Sequence, residues 1–296
     1  MKKFLTLALA LLLALSTVLC FAACNPTGTE AETTAAGASE ETTGAEEGTG
    51  EATTDTEKKV ITVGYTLYAP MNYEENGELV GFDTDLAKAV FENLGYSVQF
   101  KLIDWNNKYV DLESGNIDCI WNGFTANTTD DDGVARADKV DFSYNYMLNQ
   151  QAIVVKADDV AAYTDVATSF VNKIGYAEEG SAGEEYAKTL TDAVIQTATY
   201  QTDALMQVKS GSADFAVVDI LLAKSMAGNG DYADLAIVTA IEAPAEYYAI
   251  GFKKGSDLTA KVNAELEKLA ADGTIATLAD KYGVANSAIK DFSDQK

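Results

Sequence analysis

The sequence predicts an α/β protein built from two similar lobes, and three observations support this fold class. Apolar runs typical of buried strands alternate with helical segments along most of the chain, which favours parallel sheets. The segment LESGNIDCIWN at 112–122 recurs as VKSGSADFAVVD at 208–219, each time as a helix end, a Ser-Gly stop and an apolar strand. A second α/β series surrounds the second copy, so two lobes are favoured over one sheet.

The first α/β series begins with the strand VITVG at 60–64. Asp83 then opens a helix, and Gly95 closes it as the residue after the last turn. The apolar face of that helix consists of Leu86, Val90 and Leu94. The later elements of this series are a strand at 98–103, a helix at 109–113 and a strand at 117–121.

The second series is also an α/β run. It consists of a strand at 171–176, helices at 183–190 and 202–210, and a strand at 213–218, and the chain then ends in helices at 258–271 and 275–281. Ligands of open parallel sheets lie beyond the carboxyl ends of the strands. The residues at those ends are Tyr65 to Tyr68, Asn122 to Thr125, Gly180, Ser181 and Asp219.

The composition excludes several classes of function. The formal net charge is -25, and a chain this acidic lacks the basic face that nucleic acid requires. The sequence has no histidine, which removes the commonest general base and the commonest zinc ligand. The cysteines, 3 in number, are too few and too scattered for a disulfide framework. We therefore expect a protein that is not an enzyme and uses no metal or cofactor.

The N-terminus has the pattern of an export signal. The basic start MKK precedes an apolar run at 4–19, which is short for a transmembrane helix, and then the sequence FAAC at 21–24. FAAC resembles a bacterial lipobox, so we predict that residues 1–23 are a lipoprotein signal peptide and that Cys24 is lipidated. An ordinary signal peptide with an idle cysteine is the alternative. Residues 24–57 are rich in Thr, Gly and Glu, with no basic or aromatic side chain, and are predicted to be a disordered acidic tether.

Four segments carry a resemblance to a known family: ELVGFDTDLAKAVFENLG, LESGNIDCIWNGFT, RADKVDFS and LAADGTIATLADKYG. They resemble the extracellular solute-binding proteins of polar amino-acid ABC importers, family 3, over residues 60–283. The resemblance implies two Rossmann-like α/β lobes joined by two hinge crossings, as in type II periplasmic binding proteins, closing over one amino acid. Lobe 1 would comprise 58–150 and 244–296, and lobe 2 would comprise 151–243.

Two charged residues carry the binding chemistry that the resemblance implies. Arg136, the only arginine of the chain, matches the clamp on the ligand carboxylate, for which a guanidinium offers a fork that lysine lacks. Asp219 matches the acidic partner of the ligand ammonium. Alternatives stay open for both. Arg136 could instead pair with Asp130 to Asp132 at the surface, and Asp219 could cap the helix that follows it.

The other implied contacts come from loops at strand ends. Tyr68 and Trp105 would supply aromatic walls, although both positions also suit ordinary packing. Asn122 to Thr125 would serve both ends of the amino acid, and the backbone N–H groups of 180–182 would face its carboxylate. The predicted ligand-binding set is Tyr65, Tyr68, Trp105, Asn122, Gly123, Thr125, Arg136, Gly180, Ser181, Ala182 and Asp219.

The ligand's side chain is predicted from one substitution. Tyr65 stands where the family's binders of basic amino acids carry an acid, so we expect a neutral side chain, unless Glu178 or Glu179 turns inward. The expected role is that of an extracytoplasmic, lipid-anchored monomer that delivers an amino acid to the permease of an ABC importer. A same-fold enzyme of the prephenate dehydratase type and an amino-acid-sensing module are the alternatives.

Overall fold

A computed structural model describes residues 59–295, so the predicted signal peptide, the tether and Cys24 lie outside the described part. The strands are β1 (Val60–Tyr65), β2 (Tyr73–Glu75), β3 (Glu78–Val80), β4 (Ser97–Leu102), β5 (Cys119–Ile120), β6 (Asp141–Phe142), β7 (Met147–Lys156), β8 (Ile174–Glu178), β9 (Val194–Ala198), β10 (Phe215–Asp219), β11 (Leu235–Ile237), β12 (Ala245–Tyr248) and β13 (Gly251–Phe252). The α-helices are α1 (Phe82–Asn93), α2 (Lys108–Ser114), α3 (Arg136–Lys139), α4 (Ala182–Ala187), α5 (Gln201–Ser210), α6 (Ile220–Met226), α7 (Leu258–Ala271) and α8 (Thr274–Lys281). None of these helices has the length and apolarity needed to span a bilayer.

The first sheet organises lobe 1 and has the strand order β4-β1-β5-β13-β6. β1 is parallel to β4 and β5, while β13 is antiparallel to β5 and β6. The apolar face of α1 is buried, with Leu86 and Val90 fully enclosed in the same core as Val262 and Leu266 of α7. The C-terminal helices therefore complete the lobe that the N-terminal strands begin.

The second sheet organises lobe 2 and has the order β11-β7-β10-β8-β9. β8 is parallel to β9 and β10, and β7 runs antiparallel between β10 and β11. Val208 of α5 and Val218 of β10 are buried in its core. The α/β class with two sheet-containing lobes is thus confirmed, with antiparallel strands added to each parallel set.

Two neighbouring strands connect the lobes. The first half of β7 pairs antiparallel with β12, from Met147 opposite Tyr248 to Gln150 opposite Ala245. The second half of β7 pairs with β10 in lobe 2. The chain therefore leaves lobe 1 along β7 and returns along β12, which gives two crossings side by side. The predicted boundary between residues 150 and 151 falls inside β7, and the domain limits stay predictions.

Two predicted strands are shorter in the structure, and one strand was not predicted. The strand predicted at 171–176 begins only at Ile174, because Asn172 sits in a turn with φ of 60°. The strand predicted at 117–121 is reduced to the two residues of β5. β9 was not predicted, because it is a largely exposed edge strand whose Val194 is 54 % exposed, and an exposed strand lacks the apolar run of a buried one.

Candidate functional site

A narrow cavity lies between the two lobes, at the carboxyl ends of β5, β8 and β10. Its empty volume is about 260 Å³, part of it open to solvent. Its lining consists of Trp105, Asn122, Gly123, Thr125, Arg136, Glu178, Ser181, Ala182, Gln201 and Asp219. The position agrees with the rule that open parallel sheets bind ligands beyond the ends of their strands.

Arg136 begins α3 and is buried, with only 1 % of its surface exposed. Its Nε donates to Asp130 Oδ1 at 2.8 Å, and its guanidinium carbon lies 5.3 Å from the centre of the Phe124 ring. Its Nη1 and Nη2 donate at 3.3 and 3.2 Å to the carbonyls of Thr125 and Gly180. Both Nη atoms thus already donate to backbone carbonyls, and the contact with Gly180 reaches across to lobe 2.

The alternative that Arg136 pairs with the preceding aspartates is half right. Asp130 forms the pair, but both side chains are buried, so this is not a surface ion pair. Asp132 pairs with Lys139 instead. Burial raises the pKa of Asp130, yet the Arg136 charge and hydrogen bonds from Lys139 and Tyr109 outweigh it and lower that pKa to about 2. Asp130 thus remains charged, and it accepts a hydrogen bond from Nε at one edge of the Arg136 guanidinium.

Asp219 occupies the end of β10, and its carboxylate is surrounded by amides. Asn149 and Gln151 donate to Oδ1 at 2.6 and 2.9 Å, and Gln201 donates to Oδ2 at 2.6 Å. Burial raises the pKa of Asp219, and these three hydrogen bonds oppose that rise. The residue stands at the capping position of α6, but its side chain makes no capping bond. The helix-cap alternative for its carboxylate is therefore wrong.

The loop after β5 is held in place by hydrogen bonds to other segments of lobe 1. Asn122 Nδ2 donates to the Thr66 carbonyl and to Asn72 Oδ1, and Thr66 Oγ1 donates to Asn122 Oδ1. The Gly123 N–H donates to buried Asp83 at 2.9 Å, so in this structure it is not free for a ligand carboxylate. Thr125 Oγ1 donates to Glu246 at 3.1 Å. The loop's shape is thus determined by partners on other segments of the chain.

The lobe-2 loop also uses much of its hydrogen-bonding capacity internally. The Gly180 N–H donates to Glu184 Oε2 at 2.7 Å, and the Ser181 N–H donates to the Glu178 carbonyl at 3.2 Å. Ser181 Oγ accepts from the Glu184 N–H and caps α4. Two of the three backbone donors predicted to face a ligand carboxylate are therefore engaged within the loop, and Gly180 does not line the cavity.

The predicted aromatic contacts separate into two groups. Trp105 lines the cavity, with its ring edge-on to Phe124 at 5.4 Å between centroids. Tyr65 and Tyr68 are not among the lining residues, and their role as ligand contacts stays a prediction. Tyr68 is 1 % exposed, and its hydroxyl shares a hydrogen bond of 2.7 Å with that of Tyr248. Its ring packs against the backbone of Gly123. Both tyrosines also make edge-on ring contacts, Tyr65 with Phe100 and Tyr68 with Tyr248.

The comparison with protein families comes to one result. Residues 61–285 match the family of bacterial extracellular solute-binding proteins, family 3. The chain belongs to this family. The match covers both lobes and every residue that lines the cavity, so the fold and the site of this family-3 protein are both within it.

Several relatives of this family-3 chain are named as amino-acid-binding proteins. The chain is 28% identical over 229 residues to an arginine-binding extracellular protein of Bacillus subtilis, covering 76% of this chain and 86% of that one. It is 27% identical over 233 residues to an L-cystine-binding protein of the same bacterium, covering 76% of this chain and 81% of that one. The solved structure of an ancestral arginine-binding protein bound to arginine is 31% identical, with a TM-score of 0.68, covering 76% of this chain and 99% of that one.

Sequence reasoning missed one residue of the lining and left another undecided. Gln201 begins α5 directly after β9, so assigning that strand would have pointed to it through the strand-end rule. Glu178 was weighed only as an acid that could turn inward, and the structure places it 3 % exposed in the lining. Glu179 faces out and accepts from Asn106 at 3.1 Å. Glu178 ends β8 and Glu179 lies in the turn after it, so their side chains have different surroundings.

Proposed function

We propose that this family-3 protein captures one free amino acid between its lobes and delivers it to the permease of an ABC importer. The proposal includes its place outside the cytoplasm, its attachment to the membrane through a lipid on Cys24, and action as a monomer. Family membership and amino-acid-binding relatives support the binding role.

One observation carries the proposal: a cation of lobe 1 and an acid of lobe 2 line the same cavity. Arg136 and Asp219 both belong to its lining, and both side chains are buried. An α-amino acid has one carboxylate and one ammonium, so these two charges match its two ends. Because the charges belong to different lobes, closure of the cleft would complete both contacts together.

Binding without chemistry is the version of this function that the side chains favour. The chain contains no histidine, and Asp219, one of the two cavity acids, is hydrogen-bonded by three amides. Within residues 59–295, no group of side chains is arranged to hold a metal ion. We therefore retain the binding protein over the dehydratase-type enzyme.

Titration calorimetry of the purified full chain against the twenty amino acids and cystine tests the proposal directly. We expect saturable binding of at least one of them at a stoichiometry of one per chain. Thermal unfolding of the same protein should shift upward with that ligand, because a ligand that binds only the folded state stabilises it. Failure of all of these compounds to bind would rule out amino-acid capture.

The lipid anchor needs its own experiment. The variant Cys24→Ser should be exported but recovered from the medium, whereas the natural chain should stay with the membrane. The mass of the natural chain should include the lipid and lack the signal peptide. Retention of the serine variant in the membrane fraction with an unchanged mass would show that Cys24 is not the anchor.

A further inference from the structure

Glu178 is the last residue of β8 and turns its carboxylate into the cavity between the lobes. Its Oε1 is fully buried and has no hydrogen-bond partner. Two other acids, Asp219 and Glu246, each accept from three donors: Asn149, Gln151 and Gln201 for Asp219, and Thr125, Asn149 and Gln151 for Glu246. Glu178 differs from both in having a buried oxygen that no group satisfies.

The cations nearest to Glu178 are engaged elsewhere. Lys108 Nζ donates to the carbonyls of Trp105 and Gly180 at 3.2 and 3.0 Å and lies over the rings of Trp105 and Tyr109. Burial and then the charge of Arg136 lower the pKa of Lys108 to about 7, so it is only partly charged at neutral pH. Neither Lys108 nor Arg136 forms an ion pair with Glu178 among the described residues.

A buried carboxylate oxygen without a partner is unfavourable, and such groups in native proteins are normally satisfied. Burial and then the neighbouring charge of Asp219 raise the pKa of Glu178 well above its usual value, while Lys108 opposes this only in part. A zwitterion with a neutral side chain brings one ammonium to a lobe that presents two acids. A second cationic group on the ligand would satisfy the other one.

Resting on the proposed function, we infer that Glu178 is the specificity-determining residue of this site and accepts the positively charged side chain of a basic amino acid, while Asp219 faces the α-ammonium. The basic-amino-acid binders that this chain resembles carry their acid in the first loop of lobe 1, where Tyr65 stands here. In this protein the acid comes from lobe 2 instead. The inference reverses the neutral ligand that the sequence led us to expect.

L-arginine and L-citrulline test the inference, because they have nearly the same shape and differ in the charge of the side chain. Calorimetry of the full chain should give an affinity for arginine about 100-fold or more above that for citrulline, the size expected for pairing a buried charge. The isosteric variant Glu178→Gln should lose about the same factor for arginine and keep its citrulline affinity within about threefold. Glu179→Gln, which alters the neighbouring exposed acid, should change neither affinity.

Each outcome decides the inference. Citrulline or another neutral amino acid binding as tightly as arginine and lysine to the natural chain would overturn it, while leaving amino-acid capture intact. An equal loss of both affinities in Glu178→Gln would also overturn it, because that pattern indicates a structural role. Binding of no amino acid would remove the proposed function and this inference together. The ratio in the natural chain stands by itself if the variant fails to fold, which its thermal unfolding would reveal.

Discussion

The two copies of the helix–glycine–strand segment have the same local structure and end in different chemistry. In lobe 1, α2 ends at Ser114 and Gly115 takes the left-handed conformation, and in lobe 2, α5 and Gly211 do the same. Asp118 accepts the N–H of Thr62 at 2.7 Å. Its counterpart Asp214 accepts the N–H of Ile174 at 2.8 Å. Beyond the strand, lobe 1 then presents the amide Asn122, and lobe 2, one position further along, presents the carboxylate Asp219.

The comparison teaches that the scaffold is repeated while the charge of the site is not. Asn122 is bonded to Thr66 and Asn72 of its own lobe and helps to shape a loop. Asp219 is held by amides from β7 and α5. Lobe 1 contributes the cation of the cavity and lobe 2 contributes acids. Because the two lobes carry opposite charges at the cavity, we expect closure of the lobes to depend on a ligand that carries both charges.

The largest effect should follow from removing the charge that distinguishes each lobe. Arg136→Ala should weaken binding of the tightest amino acid by roughly 10² to 10³-fold, because about 3–5 kcal/mol is lost when one partner of a buried pair is removed. Asp219→Asn should be nearly as damaging. Arg136→Lys should recover little, because a point charge cannot form the fork. Calorimetric titration gives all three values.

A contrary result would limit the role of Arg136 to its partner Asp130. If Arg136→Ala leaves the dissociation constant within about threefold, the guanidinium is not a ligand clamp. The variant Lys139→Ala is a suitable control, since Lys139 also pairs with Asp130 but does not line the cavity. It should change affinity by much less than Arg136→Ala.

The next effect concerns the amide of lobe 1. Asn122→Asp would give lobe 1 a carboxylate after its strand, as lobe 2 has, but it would also replace the donor to Thr66 and Asn72 by an acceptor. We expect the free energy of unfolding to fall by about 2–3 kcal/mol, because buried acceptors would be left facing one another. Urea unfolding measures this loss. The exposed change Asn116→Asp should cost less than about 1 kcal/mol, and equal losses would mean that the amide of Asn122 is not specifically required.

The ion pair of lobe 1 predicts a pH dependence. Asp130 has a pKa of about 2 in the folded protein, below the ordinary 3.8, so the unfolded state takes up the proton first as the pH falls. The stability that this carboxylate contributes is complete above about pH 4 and is lost as the pH falls through 2. Allowing for solvent screening, the loss should be about 1–2 kcal/mol.

The variant Asp130→Asn isolates that contribution. The difference in unfolding free energy between the natural chain and this variant should shrink by about 1–2 kcal/mol between pH 5 and pH 2. Denaturant unfolding at both pH values provides the measurement. A difference that stays constant over this range would show that the charge of Asp130 does not stabilise the folded state.

The smallest effect tests whether the two copies are equivalent in energy. Gly115→Ala and Gly211→Ala should each cost about 1 kcal/mol, because both backbones have positive φ, at 76° and 80°, and neither new methyl group meets a close neighbour. Ser114→Ala and Ser210→Ala are controls without that backbone strain. A difference of more than about 1 kcal/mol between the glycine variants would show that the copies share a shape but not an energetic role.

Much of the fold could be predicted because it follows from local patterns. The face of α1, the glycine stops and the buried strands each depend on residues close together in sequence. β9 escaped prediction because most of its residues are exposed. The contacts of Tyr68 could not be predicted, because a sequence gives its distance from a strand end but not the direction of its ring, whose hydroxyl shares a hydrogen bond with that of Tyr248, 180 residues away.

The sequence by itself determined which chemical groups are available: one arginine, no histidine, a helix–strand segment that occurs twice, and an acid, Asp219, after the strand of the second copy. Only the tertiary structure decided which of those groups are already satisfied. Asp219 receives its donors from residues 18, 68 and 70 positions away, whereas Glu178 Oε1 receives none. Hydrogen bonding acts over about 3 Å in space. Partners brought together from distant segments, and an oxygen left without one, therefore appear only when the chain is folded.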